Sequence, residues 1–376
     1  MTTTAETYES TLERVCATSV APTAAAVDRD GAFPTESIRA LASAGLLGAL
    51  SSAESGGLAL GLPGAARIVR RVAEECGSTA MVAVMHYCGT AVLEAYAPGE
   101  VRSAAASGAH LSTLAFSEAG SRSHFWAPVS TAALRDGSVQ LNAAKSWVTS
   151  ASHAAAYVWS SRPLAAGGAS TIWLVPASSP GLKVAGPFEG LGLRGNDSSP
   201  VHAVDVEVPP SAMLGGDGQG FEIMMGIVLP TFAVLNAACS NGLMAGAIRR
   251  TVEHVTSTRH SDTGAALADL PTIRAYLARM RVKADLSDAL LGDTLAAIAA
   301  GRADATVRVL ECKAAAAESA NEVLDLAMRI CGGASFRKEV GVERLFRDAR
   351  AAGVMAPTTD ILYDFLGKAV CGMPLF

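Results

Sequence analysis

Apolar residues recur at helical spacing through roughly the first hundred positions. Leu12, Val15 and Val20 open the series. Ile38, Leu41, Leu46 and Leu47 continue it after Pro34-Thr35, a pair suited to a helix start. Residues 66–75 and 80–96 predict two more helices, separated by Gly77-Ser78. From residue 108 the period shortens to two. Residues 111–116 form a compact apolar run, 139–142 and 146–149 alternate, and 157–159 and 171–175 are β-branched and aromatic. In 201–208 the alternation predicts Val204, Val206 and Val208 on one face, with Asp205 and Glu207 on the other. From Phe221 the helical pattern returns, with long Ala/Leu/Met/Arg-rich stretches over 234–258, 271–300, 303–330 and 358–369. The expected architecture is α+β and multidomain. An N-terminal helical domain covers 1–107, a small β-sandwich or barrel 108–215, and a C-terminal four-helix bundle 216–376.

Composition narrows the function. Half of the 376 residues are hydrophobic, which excludes a disordered chain and a disulfide-stapled mini-protein. A net charge of -5 and an aromatic content of 5% give neither the basic footprint nor the stacking platform of a nucleic-acid binder. The seven cysteines (Cys16, Cys76, Cys88, Cys239, Cys312, Cys331 and Cys371) form no CxxC pair and are odd in number. Neither a zinc site nor a disulfide framework is expected, and a reducing cytoplasm is the natural setting. The acidic first thirty residues do not read as a signal peptide. No stretch of about 18 uninterrupted apolar residues predicts a membrane span.

Local motifs give little alone. Gly190, Gly192 and Gly195 spell G-x-G-x-x-G, but a strand follows where a nucleotide fold needs a helix, so a loop between strands is expected. The run 215–220 (GGDGQG) reads either as an anion-binding loop before a helix or as a plain β-to-α connector. Glu343, Arg344, Arg347, Asp348 and Arg350 crowd one segment, for which structural ion pairing is the default. The histidines are scattered without HExxH spacing, and no G-x-S-x-G elbow is present, so metal-dependent or serine-nucleophile hydrolysis is unsupported.

Four segments in order carry a resemblance. They are 114–123 (LAFSEAGSRS), 141–150 (LNAAKSWVTS), 191–198 (LGLRGNDS), and 331–336 (CGGASF) leading into 342–350 (VERLFRDAR). Together they resemble the acyl-CoA dehydrogenase family of flavoproteins, whose helical, β and helical domains match the organisation read above. The resemblance implies bound FAD. It places Phe116 and Ser117 at the isoalloxazine edge, Trp147 and Thr149 over its other side, and Ser123 by the pyrophosphate or the substrate tail. Arg259 and the Gly332-Gly333 turn would reach the FAD of a neighbouring subunit, which implies a homodimer or homotetramer. Thr358 and Asp360 match positions that touch the cofactor. An acyl thioester on CoA or a carrier protein is the implied substrate, or a related aromatic or carboxylic acid. An electron-transfer flavoprotein or flavin reductase is the implied redox partner.

The chain departs from the family where the chemistry sits. The α-proton of a thioester needs a carboxylate within reach. The usual Glu position carries Ala356, and the alternative position on the helix after the β domain carries Phe232. Segment 229–233 lacks the Asp and Arg that hold acyl-CoA in many members. Arg122 and His124 flank Ser123 where Gly and Asp are usual, which makes them candidates to bind a carboxylate or orient an oxygen species. Glu118 and Asp364 remain as displaced bases. Three readings follow: dehydrogenation with a relocated base, oxygenation with reduced flavin and O₂, or a non-redox descendant.

Overall fold

The computed structural model of the protein describes residues 7–121 and 124–375. Six helices form the first unit: α1 (Tyr8–Val15), α2 (Ala21–Asp30), α3 (Thr35–Ser43), α4 (Gly61–Ala73), α5 (Gly77–Tyr96) and α6 (Gly99–Ser107). α1 begins where the Thr7 hydroxyl accepts the Ser10 N–H, and α2 stops at Gly31 in the left-handed region. α5 is apolar nearly all round and is accordingly buried along most of its length.

The middle unit is a sandwich of two four-stranded sheets. Its strands are β1 (Ser112–Ala115), β2 (Thr131–Arg135), β3 (Ser138–Val148), β4 (Ala156–Ser161), β5 (Thr171–Pro176), β6 (Leu182–Val184), β7 (Ser199–Val208) and β8 (Met213–Leu214). The sheet orders are β1-β4-β5-β8 and β2-β3-β7-β6. Tyr157, Trp159, Trp173, Leu141 and Val206 fill the space between them. The two alternating runs read at 139–142 and 146–149 are one strand, β3. Two bulges break its pairing with β7, between Leu141 and Ala143 and between Lys145 and Val148. The first corrects the face assignment in β7. Asp205 takes φ 51°, the alternation slips, and Val204 is 65% exposed while Val206 and Val208 stay inside.

Five elements complete the chain after a short α7 (Gly220–Ile223): α8 (Leu229–Ser257), α9 (Pro271–Ala299), α10 (Ala305–Cys331), α11 (Val342–Val354) and α12 (Thr359–Val370). The helical run Gly220–Ser257 is long and apolar enough by composition to cross a membrane. However, 78% of its most apolar window is buried inside the protein, as befits a core helix. α11 is the charge-rich segment. Arg347 pairs with Asp28 at 2.6 Å and Glu343 at 2.7 Å, so structural pairing is what the segment does.

The G-x-G-x-x-G loop joins all three units. Leu193 donates its N–H to buried Asp348 of α11 (2.6 Å), Arg347 donates to the Leu191 carbonyl (3.0 Å), and Gly195 donates its N–H to the Ser78 hydroxyl (3.2 Å). Gly192 lies flat against the Arg347 backbone, and a Cβ on Gly195 would sit 2.5 Å from the Ala32 carbonyl oxygen. The glycines therefore serve backbone approach between domains. Gly192→Ala would drive a Cβ into the Arg347 carbonyl. The neighbour is backbone and cannot swing aside, so we expect a loss of about 1–3 kcal/mol, seen as a lower urea midpoint with the helical circular-dichroism signal retained.

Candidate functional site

The site is built on the loop that leaves β1. Glu118 is buried, and its carboxylate closes the loop 118–130 on itself. It accepts the N–H of Val129 (2.6 Å), the N–H of Ser130 (2.9 Å) and the Ser130 hydroxyl (2.6 Å). Lys145 of β3, also fully buried, donates to it at 2.5 Å and to the Ser160 carbonyl at 2.7 Å. Burial alone would raise the Glu118 pKa. The Lys145 ammonium, with the Lys145, Ser130 and Val129 donors, outweighs it and holds the carboxyl below its ordinary range. A carboxylate with this many donors has no free lone pair for an α-proton, so Glu118 is not a displaced base. It is a loop clamp, a role that its place in the motif did not reveal.

The clamp brings four predicted cofactor residues together. Ser146 donates its N–H to the Ser117 carbonyl (2.9 Å), setting Phe116 and Ser117 beside the end of β3, where Trp147 and Thr149 follow. The second bulge falls here and turns Trp147 out of the sheet. Trp147 adopts φ 57° and is 69% exposed, in an edge-on contact with Phe188 whose ring centroids lie 6.4 Å apart. Ser150, Leu193 and Asp197 also have positive φ (59°, 52° and 49°), and Ser150 and Ala151 donate to the carbonyls of Asn196 and Asp197. An exposed indole on strained backbone is a candidate wall for a ligand. Thr149 is buried, with its hydroxyl 3.0 Å from that of Ser198.

An aromatic chain spans from the loop to the last helix. Phe116 stacks on Phe125 (6.5 Å, 7°), Phe125 meets Trp126 edge-on (5.2 Å), and Trp126 meets Phe365 of α12 (6.0 Å). His124 is exposed, its ring 5.0 Å from Trp126. Arg122 and Ser123 lie outside the described residues. Thr358 is the N-cap of α12 and makes no side-chain cap bond, and Asp360 is exposed in the first turn. Ala356 and Phe232 are half-buried, where sequence placed the absent bases. Asp364 faces solvent and pairs with Lys368 at 2.9 Å, so it is not a displaced base either. Arg259, Gly332 and Gly333 are exposed, and the Arg259 guanidinium donates to the Gly264 carbonyl of its own loop (3.1 Å).

The Gly-rich run before α7 holds an anion of its own. Asp217 accepts the N–H groups of Leu164, Ala165 and Ala166 and the Thr171 hydroxyl. Burial opposes this charge, but the Thr171 and backbone donors prevail and pull the Asp217 pKa down to about 2. The run is a connector that docks on a neighbouring loop.

The chain matches the acyl-CoA dehydrogenase N-terminal domain over residues 2–106, the middle domain over 113–206 and the C-terminal domain over 218–371. The chain belongs to the acyl-CoA dehydrogenase family. The short-chain specific acyl-CoA dehydrogenase of Bos taurus mitochondria is 29% identical over 90% of this chain and 83% of that one. The fold agrees with butyryl-CoA dehydrogenase from Megasphaera elsdenii at a TM-score of 0.90, with 21% identity over 99% and 100% of the two chains. It also agrees with the FAD complex of PigA at 0.88, with 18% identity over 98% and 99%.

The acyl-CoA dehydrogenase cofactor fits what this chain presents. A ring as large as Trp147 is left mostly in water with one aromatic edge for company. Such a ring is stable as the wall of a flat, amphipathic partner. Next to it along β3, Ser146 holds the Ser117 main chain and Thr149 carries a hydroxyl. An isoalloxazine needs such a set: a flat face and hydrogen-bonding groups at its polar edge.

Proposed function

We propose that the protein is an FAD-dependent oxidoreductase that oxygenates a small acyl thioester or related carboxylic substrate. The single observation that carries this reading is the missing base. Position 356 is alanine, Phe232 is apolar, Glu118 is locked in its clamp and Asp364 points to solvent. Dehydrogenation of a thioester removes an α-proton, and none of these four positions accepts one. FAD held at Trp147 would supply two-electron transfer. In the net reaction one oxygen atom of O₂ would enter a substrate C–H bond, and the other would leave as water with two protons from solvent. An external flavin reductase or electron-transfer flavoprotein would supply the two electrons.

The residues divide the remaining work. Trp147 would wall the ring, and the Ser117 main chain and the Thr149 hydroxyl would meet its polar edge. Phe125, Trp126 and Phe365 close the loop side and keep bulk water out. Exposed His124 would take the substrate's carbonyl or carboxylate. Phe336 is 81% exposed beside the exposed Gly332-Gly333 turn, which supports a homodimer or homotetramer that covers it. Dehydrogenation is the second reading, favoured by the likeness to the Bos taurus enzyme. The two part in an anaerobic titration of the yellow holoprotein with short-chain thioesters, on CoA and on a carrier protein. Oxygenation predicts no bleaching without air, and ¹⁸O in the product once reductant and ¹⁸O₂ are supplied. Anaerobic bleaching with formation of an enoyl thioester would overturn it.

A further inference from the structure

Lys313 of α10 is fully buried, and the chemistry above leaves it without a role. Its Nζ donates to three main-chain carbonyls: Ala352 at 3.1 Å, Met355 at 3.0 Å and Pro357 at 2.8 Å. Among the described residues no carboxylate pairs with it. The face of Phe232 lies 5.9 Å from the same nitrogen. Burial pushes the Lys313 pKa down to about 7. The three carbonyls, at the negative end of α11, favour the charged form.

The need for this ammonium lies in how α11 ends. Helices often close on a left-handed glycine that returns N–H groups to the last carbonyls. α11 instead runs straight out, with Met355 extended at φ -68°, ψ 133°. Lys313 reaches one carbonyl of the last turn, that of Ala352, and then the carbonyls of Met355 and Pro357 in the segment that leaves the helix. Asn236 of α8 adds a second hold, with Nδ2 3.4 Å from the Met355 sulfur. The chain then passes through Ala356 and Pro357 to Thr358, the uncapped start of α12. We propose that Lys313 is a positioning residue. Its ammonium fixes the course of the chain from Ala352 to Pro357, and thereby sets Ala356 and Thr358 against the cofactor. The last step rests on the site as read above; the clamp itself does not. A buried cation is a poor stabiliser compared with an apolar side chain of similar size, which favours placement over stability as its purpose.

The test compares Lys313→Met with Leu291→Ala, a core substitution in α9. Urea is used to match the two for global stability, and hydrogen exchange is followed by mass spectrometry. We expect the amides of residues 355–360 to exchange at least about tenfold faster in Lys313→Met alone. FAD affinity should fall by a similar factor in that variant and stay near wild type in Leu291→Ala. Lys313→Gln, which keeps two donors, should fall between and guards against a methionine variant that does not fold. Exchange at 355–360 that merely follows the rest of the chain overturns the clamp. Faster exchange with unchanged FAD affinity overturns the placement at the cofactor, whatever reaction the enzyme performs.

Discussion

Ala356→Glu is expected to make the holoprotein bleach anaerobically with a short-chain acyl thioester, at least about 100-fold faster than the wild type. A positioned general base contributes roughly 10²–10⁴ in rate, and the wild type has none at this position. The backbone is ready for the change. The Met355 and Pro357 carbonyls on either side are held by Lys313, and the Ala356 side chain is only half-buried. Ala356→Gln has the same size without the basicity and should leave the rate at the wild-type level. The measurement is stopped-flow absorbance at the flavin band, after confirming that each variant retains FAD. A Glu variant that holds FAD but reacts no faster would mean that position 356 does not face the reacting carbon. A wild type that already bleaches as fast would mean that its base lies elsewhere. Either result ends the oxygenase argument as built on this residue.

The sequence reveals most of the fold because the helices are long and their apolar stripes regular. The β domain is legible where strands alternate and illegible where bulges break the phase. Val204 and Asp205 show why: the extra residue in β7 has no signature in composition, so the predicted face is wrong for Val204. β2 (Thr131–Arg135) is mostly exposed, and so lacks the apolar signal that marks its neighbours. α11 is hidden by its charges, which face Asp28 and the 190–195 loop across domain boundaries that local patterning does not cross. At the site, Trp147 and Thr149 are found through a motif, whereas the outward turn of Trp147 comes from a bulge that sequence does not announce. The work of Glu118 and Lys313 is illegible for another reason. Their partners are mostly backbone groups, which every residue carries, so no pattern of side chains points to them.

Lys145→Met is expected to destabilise the protein by about 3–5 kcal/mol at pH 7, the range for breaking a buried pair from one side. Lys145 and Glu118 are both fully desolvated, so removing the ammonium leaves a buried carboxylate supported by Ser130 and Val129 alone. The sign with pH follows from the depressed Glu118 pKa. In the wild type the stability from this carboxyl is fully present above about 4.5, its ordinary value, and is lost as pH falls through the lower folded value. In the variant the burial term loses its chief opponent and the carboxyl protonates at higher pH. The gap between wild type and variant should therefore begin to shrink where the variant's carboxyl protonates, and go on shrinking as pH falls towards the lower wild-type value, because a protonated Glu118 no longer needs the cation. Urea unfolding at pH 7 and pH 4 measures it. A gap that is the same at both would show that Lys145 acts by packing alone, its Nζ lying 5.0 Å over the Trp159 ring. Glu118→Gln should be as costly and more disruptive locally, since the amide cannot gather Val129, Ser130 and Lys145 at once. The loop carrying Phe125 and Trp126 then loses its anchor, and faster FAD release from this variant than from Lys145→Met would tie the clamp to the site it holds.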